Sequence, residues 1–171
     1  MNTEQLKCAI SCDQNMKETI IGVYASNTIP TTLSSLPFGL IVNTDPKHRT
    51  GRHWVAFFVE EKDTVECYDS HGSSPADYSI HLKLFMKRFK HVIVNGKPIQ
   101  SNQTNVCDQH VLFVLMCRVR GYTMRDITDQ FTLNFLSNDE FVYNFIDERF
   151  YCCMRLNVNN EQSCTCHDLL M

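Results

Sequence analysis

The run Val111-Leu112-Phe113-Val114-Leu115-Met116-Cys117 is apolar whichever way a helix would turn it. A helix without a polar face has to lie in the middle of a domain, covered on every side. Three β-type segments upstream, residues 38–43, 53–60 and 64–69, can provide that cover. The fold class this predicts is α+β, a largely antiparallel sheet packed on the buried helix, with further helices flanking it. A chain of 171 residues with 43% hydrophobic and 20% charged residues suits one such domain spanning 1–171, with a loose tail from about residue 158.

The remaining elements follow from local signals. Thr3 is a plausible N-cap for a helix to about residue 12, with Leu6, Ala9 and Ile10 inward and Asp13-Gln14-Asn15 breaking it. Residues 20–24 read as a short strand, and 27–37 as a loop restricted by Pro30 and Pro37. A helix is expected around 79–89 with Ile80, Leu84 and Phe85 inward, then a strand at 91–94 closed by Asn95-Gly96. Two more helices are expected at 124–131 and 137–149, the second opened by a Ser137–Glu140 capping box.

Strand periodicity puts His53, Val55, Phe57 and Val59 on one face, and Trp54, Ala56, Phe58 and Glu60 on the other. Val65, Cys67 and Asp69 share a face of the next strand. If these two strands form a hairpin, His53 at the start of one and Asp69 at the end of the other stand at the same end of the sheet. The spacing therefore permits a His–Asp pair.

Cys107 falls in the first turn of the buried helix, where backbone N–H groups supply a positive field and oxyanion donors. A thiol acts as a nucleophile when ionised, and a helix N-terminus beside an imidazolium favours that state. His53 can serve as base, with Asp69 fixing its tautomer. Gln100 or Gln103, on the loop before the helix, could direct an amide N–H at an oxyanion, and spacing does not choose between them. His110, three residues after Cys107, is a rival base on spacing alone.

Nothing at the start of the chain resembles a secretory leader, and no stretch approaches the roughly 20 apolar residues of a membrane span. An intracellular protein with no membrane association is expected, and its nine cysteines are expected to be reduced. Cys152-Cys153 and Cys164-Thr165-Cys166-His167 contain thiophilic ligands but lack paired CxxC spacing, so no metal is expected. The net charge is -3, yet Lys83, Lys87, Arg88, Lys90 and Lys97 form a segment without acids. That segment offers a weak DNA contact; solvated faces of one helix and its turn are the simpler explanation.

Several separated segments together resemble the adenovirus-type endopeptidases (adenains) and the proteases of Maverick/Polinton elements, relatives of the SUMO-specific (Ulp-like) clan. They are residues 41–44, Thr50-Gly51-Arg52-His53-Trp54-Val55-Ala56-Phe57, Tyr68-Asp69-Ser70-His71-Gly72, and residues 100–107 with the apolar helix beyond. The resemblance implies a papain-like core with permuted element order, His53, Asp69 and Cys107 as catalytic residues, and Gln100 as the oxyanion glutamine. It also implies that Trp54 shields the His–Asp pair and, with Asp108, lines the site. Asp108 stands where these enzymes usually have glycine, and its charge opposes thiolate formation beside it. The cysteine through which adenovirus enzymes take an activating peptide has no counterpart between Cys67 and Cys107, so neither that peptide nor any cofactor is expected.

The activity so implied is cysteine-type endopeptidase cleavage of viral or mobile-element precursors, such as capsid proteins, in the host nucleus and virion. Two alternatives remain at this level: a protease for ubiquitin-like modifiers, and a catalytically inactive protease fold acting as a scaffold.

Overall fold

The computed structural model describes residues 1–32, 35–49 and 51–155; the tail expected from about residue 158 lies outside them. Helix α1 (Thr3–Cys12) starts one residue earlier than its Thr3 cap implies. Asn2 is the cap: its side chain accepts from Gln5 N, and the Gln5 side chain accepts from Asn2 N in return. Both early N–H groups are thereby satisfied, a full capping box. Asp13 ends α1 but also caps α2 (Gln14–Thr19) by accepting from Met16 N, so the expected break joins two helices.

Five strands follow in one sheet: β1 (Ile20–Ala25), β2 (Phe38–Asn43), β3 (Trp54–Val59), β4 (Thr64–Tyr68) and β5 (His91–Val94). Their spatial order is their chain order. The β2–β3 and β3–β4 pairs are antiparallel as expected, whereas β1–β2 and β4–β5 are parallel, so the sheet is mixed rather than largely antiparallel. The cause lies in the connections. Parallel neighbours need a crossover, and α3 (Ile80–Met86) provides it between β4 and β5, as the 26–37 segment does between β1 and β2.

Side-chain alternation divides the core between the two faces of this sheet. Ile41, Ala56, Phe58 and Tyr68 meet α4 (Cys107–Arg118), whose Leu112, Val114, Leu115 and Met116 are almost wholly buried. Around α4 stand α1, α5 (Met124–Thr128), α6 (Phe135–Arg149) and α7 (Tyr151–Met154). The opposite face, with Leu40, Val42, Val55, Phe57 and Val65, is closed by α3. The result is an α+β fold with α4 inside it, as its unbroken apolar run demands.

Three helices depart in detail from their sequence signals. Ile80 and Leu84 of α3 are 62% and 54% exposed, because the stripe that meets the sheet is Leu82, Phe85, Met86 and Phe89. Phe85 faces the sheet as expected, whereas Ile80 and Leu84 do not, and Phe89 joins the stripe from just beyond the helix. Helix α5 stops at Thr128, and α6 begins at Phe135 under an Asn134 cap that accepts from Ser137 N, instead of at Ser137.

Leu112 has 0% exposure in the α4 layer, so Leu112→Ala leaves a cavity between helix and sheet. The expected loss is about 2–5 kcal/mol of unfolding free energy. Urea denaturation followed by circular dichroism should show a lower midpoint; an unchanged midpoint contradicts the placement of α4.

Candidate active site

His53 immediately precedes β3 and Asp69 immediately follows β4. The register Ala56↔Tyr68 and Phe57↔Cys67, carried on, sets His53 opposite His71 with Asp69 two residues along on the same side. Backbone bonding of Thr44 N to His53 O extends the β2–β3 ladder to this point. The hairpin thus delivers the pair its sequence permits: His53 Nε2 lies 2.6 Å from Asp69 Oδ1. The two residues are 7% and 0% exposed.

A carboxylate this deep needs several donors to remain ionised. Asp69 Oδ1 also accepts from His71 N at 3.1 Å, while Oδ2 accepts from Ser73 N at 3.0 Å and from the Tyr78 hydroxyl at 2.8 Å. Burial pushes its pKa up, but the His53 contact and these donors outweigh burial and hold it below the usual carboxylate range. The Asp69 backbone is clamped by Asn95, whose side chain accepts from Asp69 N and donates to Asp69 O. Gly72 turns the chain at φ +74°, and a Cβ there would overlap the Lys97 and Pro98 backbone.

Cys107 is 8% exposed, begins α4 and lies near enough to His53 to help raise its pKa. With Nε2 held by Asp69, Nδ1 is the ring nitrogen left for the sulfur. Burial works against an imidazolium, but hydrogen bonds and charge from Asp69 and Cys107 raise His53 to about 9. No side chain caps α4 among the described residues, so the N–H groups of its first turn remain open toward the sulfur's end of the helix. Burial pushes the Cys67 thiol up to about 12 and the Cys117 thiol up to about 11. Imidazole takes no part in either shift.

Asp108, next to the sulfur, is 3% exposed and meets the α-ammonium of Met1. The same Met1 lines a cleft of about 650 Å³ with Trp54, Asn43 and Gly51. Trp54 is half-buried and packs against the α4 face of the sheet, on the opposite side of β3 from His53. It lines this cleft instead of covering the His53–Asp69 pair, because adjacent strand residues point to opposite faces. The rings that do stand over His53 are His71, at 4.8 Å between centroids, and Tyr78, at 5.3 Å.

Gln100 is 2% exposed, with Oε1 accepting from the Ser70 hydroxyl at 2.6 Å and Nε2 donating to Thr104 O at 3.1 Å. Gln103 is exposed. The loop carrying Gln100 is tied to the Asp69 loop, since Ile99 N and Gln100 N both donate to Ser70 O. From the other side, α6 holds it through Asp139, which accepts from Ser101 N and the Thr104 hydroxyl, and through Asn138, which donates to Ile99 O.

His110 has 0% exposure and both ring nitrogens engaged, Nε2 with Asp139 at 2.9 Å and Nδ1 with the Tyr68 hydroxyl at 3.1 Å. It belongs to this buried network and is no rival to His53. Sequence reasoning misses Asp139, Tyr78, Ser70 and the tie from Met1 to Asp108. Asp139 carries no local signal, since it looks like one more acid on a polar helix, and Tyr78 reads as a loop residue. Asn95 reads as a turn residue, and the turn is the one local signal that bears on its clamp around Asp69.

No known family profile matches the chain. It is 31% identical over 93 residues to the SUMO-1 cysteine protease S273R of African swine fever virus (isolate Warthog/Namibia/Wart80/1980), covering 48% of this chain and 34% of that protein. The same figures relate it to the Cysteine protease S273R of the Badajoz 1971 Vero-adapted strain. The chain thus spans about a third (34%) of the length of the curated relatives it matches. Among solved structures, the ASFV pS273R protease aligns with a TM-score of 0.48 at 17% identity, covering 76% of this chain and 59% of that one. ChlaDub1 from Chlamydia trachomatis aligns with a TM-score of 0.48 at 14% identity, covering 92% and 80%.

A raised His53 pKa means that the folded state holds this proton more tightly than the unfolded chain, whose histidine titrates near about 6.5. The stabilisation is complete below about 6.5 and is lost as the pH rises through about 9. An NMR titration should therefore find the His53 midpoint near about 9. In Asp69→Asn the midpoint should fall toward about 6.5; an unmoved midpoint would show that Asp69 is not its partner.

Proposed function

We propose that this chain is a cysteine endopeptidase that cleaves peptide bonds through a thioester acyl-enzyme. The observation that carries the reading is that His53, hydrogen-bonded to Asp69, stands beside Cys107 at the uncapped start of α4. Sequence similarity to viral proteins named as cysteine proteases supports it.

Cys107 passes its proton to His53, and the thiolate attacks the scissile carbonyl carbon. The oxygen, now negative, is stabilised by N–H groups at the start of α4 and by an amide N–H of Gln100. Gln100 Nε2 donates to Thr104 O at 3.1 Å and, at the longer distance of 3.4 Å, to Thr104 Oγ1, so the oxyanion takes the N–H now on the longer contact. As the tetrahedral intermediate collapses, the C–N bond breaks and His53 protonates the leaving amine. His53 then takes a proton from water, which attacks the thioester, releasing the acid product and restoring the Cys107 thiol. Asp69 orients the imidazole and supports its positive charge throughout.

The substrates under this reading are precursor proteins of a virus or mobile element, capsid precursors among them, as the resemblance to adenain-type enzymes implies. A second reading, a protease for ubiquitin-like modifiers, is favoured by the words "SUMO-1 cysteine protease" in the name of one relative. The DNA contact at the basic segment gains little support from its geometry. Lys97 pairs with Asp129 at 3.0 Å, and Arg88 is engaged by the carbonyls of Pro30 and Thr31.

An electrophilic thiol probe should label the wild-type protein at Cys107 and lose that label in Cys107→Ser. Cleavage of peptides from a precursor protein, and of ubiquitin-like conjugates in parallel, separates the two substrate readings. Wild-type cleavage should fall by at least about a hundredfold in His53→Ala, in line with the loss of a general acid–base. A probe that labels Cys107→Ser as strongly as wild type, with no cleavage of either substrate, would leave a scaffold as the better description.

A further inference from the structure

We infer that Cys8, Cys12 and Cys153 form a structural site for a thiophilic divalent ion, Zn²⁺ by its chemistry, that staples the first helix to the last one described. Cys8 and Cys12 are four residues apart on α1 and therefore share one face of that helix. Cys153, with 0% exposure, comes to them from α7. The three sulfurs lie within 4.8 Å of one another, and Cys12 Sγ is 3.6 Å from Cys153 Sγ.

Zinc bound to thiolates at about 2.3 Å in a tetrahedron sets its sulfurs about 3.8 Å apart. The observed spacing therefore fits three corners of a zinc site without moving either helix by more than a small adjustment. The helices are independently held at this distance. Gln5 Nε2 donates to Met154 O at 2.6 Å on one side of the cluster, and Arg149 pairs with Asp13 at 2.9 Å on the other. The sulfurs thus converge between two polar clamps, at the edge of the α4 core.

Cys164, Cys166 and His167 lie outside the described residues, and the proposed site uses the three sulfurs alone, with water at the fourth corner of the tetrahedron. The site escapes the usual spacing test because its first pair is a helical C-x3-C, not a CxxC knuckle. Binding replaces the thiol protons, which pass to solvent, with Zn–S bonds. The consequence for the proposed active site is positional: α1 begins two residues after Met1, whose ammonium meets Asp108 beside Cys107.

The test uses the whole chain purified in reducing, chelator-free buffer, with metal measured by plasma mass spectrometry. About one zinc per chain is expected, falling at least about tenfold in the Cys8→Ser/Cys12→Ser double variant and in Cys153→Ser. The control Cys117→Ser should keep its metal, and chelation should lower the thermal midpoint of the wild type but not of Cys153→Ser. Titrating chelator-treated wild-type protein with Co²⁺ should give the thiolate charge-transfer bands of a tetrahedral site, whether or not the variants fold. A wild-type chain that purifies without zinc and gives no cobalt spectrum overturns the proposal. So does an intact mass two hydrogens lower, with Cys12 linked to Cys153 in non-reduced peptide maps, which would make the cluster a redox pair.

Discussion

The arrangement at the sheet's rim depends on keeping one fully buried carboxylate ionised. Asp69 has no access to water, so its charge is tolerable only through the donors the fold assembles: His53, the His71 and Ser73 N–H groups, and the Tyr78 hydroxyl. Each donor imposes a constraint. The β3–β4 register brings His53, the Gly72 turn aims the two N–H groups, and the segment before α3 brings Tyr78. The imidazole orientation, and hence the nitrogen it presents to Cys107, follows from this set.

A second buried charge does the corresponding task for the other half of the site. Asp139 of α6 receives His110 from α4 and Ser101 and Thr104 from the loop before it, while Tyr68 at the end of β4 closes the chain of bonds. Gln100 is thereby fixed between two loops, one tied to Asp69 through Ser70 and one tied to Asp139 through Thr104. Networks of this kind either satisfy every member or destabilise the fold, which explains why they span four separate elements.

Legibility follows the range of each signal. The alternation along β3 and β4 is local, and by itself it sets His53 and Asp69 on one face; the uniform apolarity of α4 locates Cys107 at a buried helix start. Parallel pairing of β1 and β5 is not legible, because it depends on where the crossovers return the chain. Ile80 and Leu84 mislead for a related reason, since apolar residues alone do not say which helical stripe the sheet will claim. His110 is excluded as the base only by Tyr68 and Asp139, each about thirty or more residues away. The Cys8, Cys12 and Cys153 cluster joins the two ends of the described chain, a distance no spacing rule covers.

The central claim is that Cys107 attacks carbonyl carbon with Gln100 and the start of α4 facing the oxygen. A crystal structure of the protein reacted with a peptide aldehyde tests it directly. The account predicts a hemithioacetal on Cys107 Sγ, its oxygen about 2.7–3.1 Å from Gln100 Nε2 and from an N–H of the first turn of α4. An adduct on another cysteine, or an oxygen turned to solvent away from both donors, would contradict it.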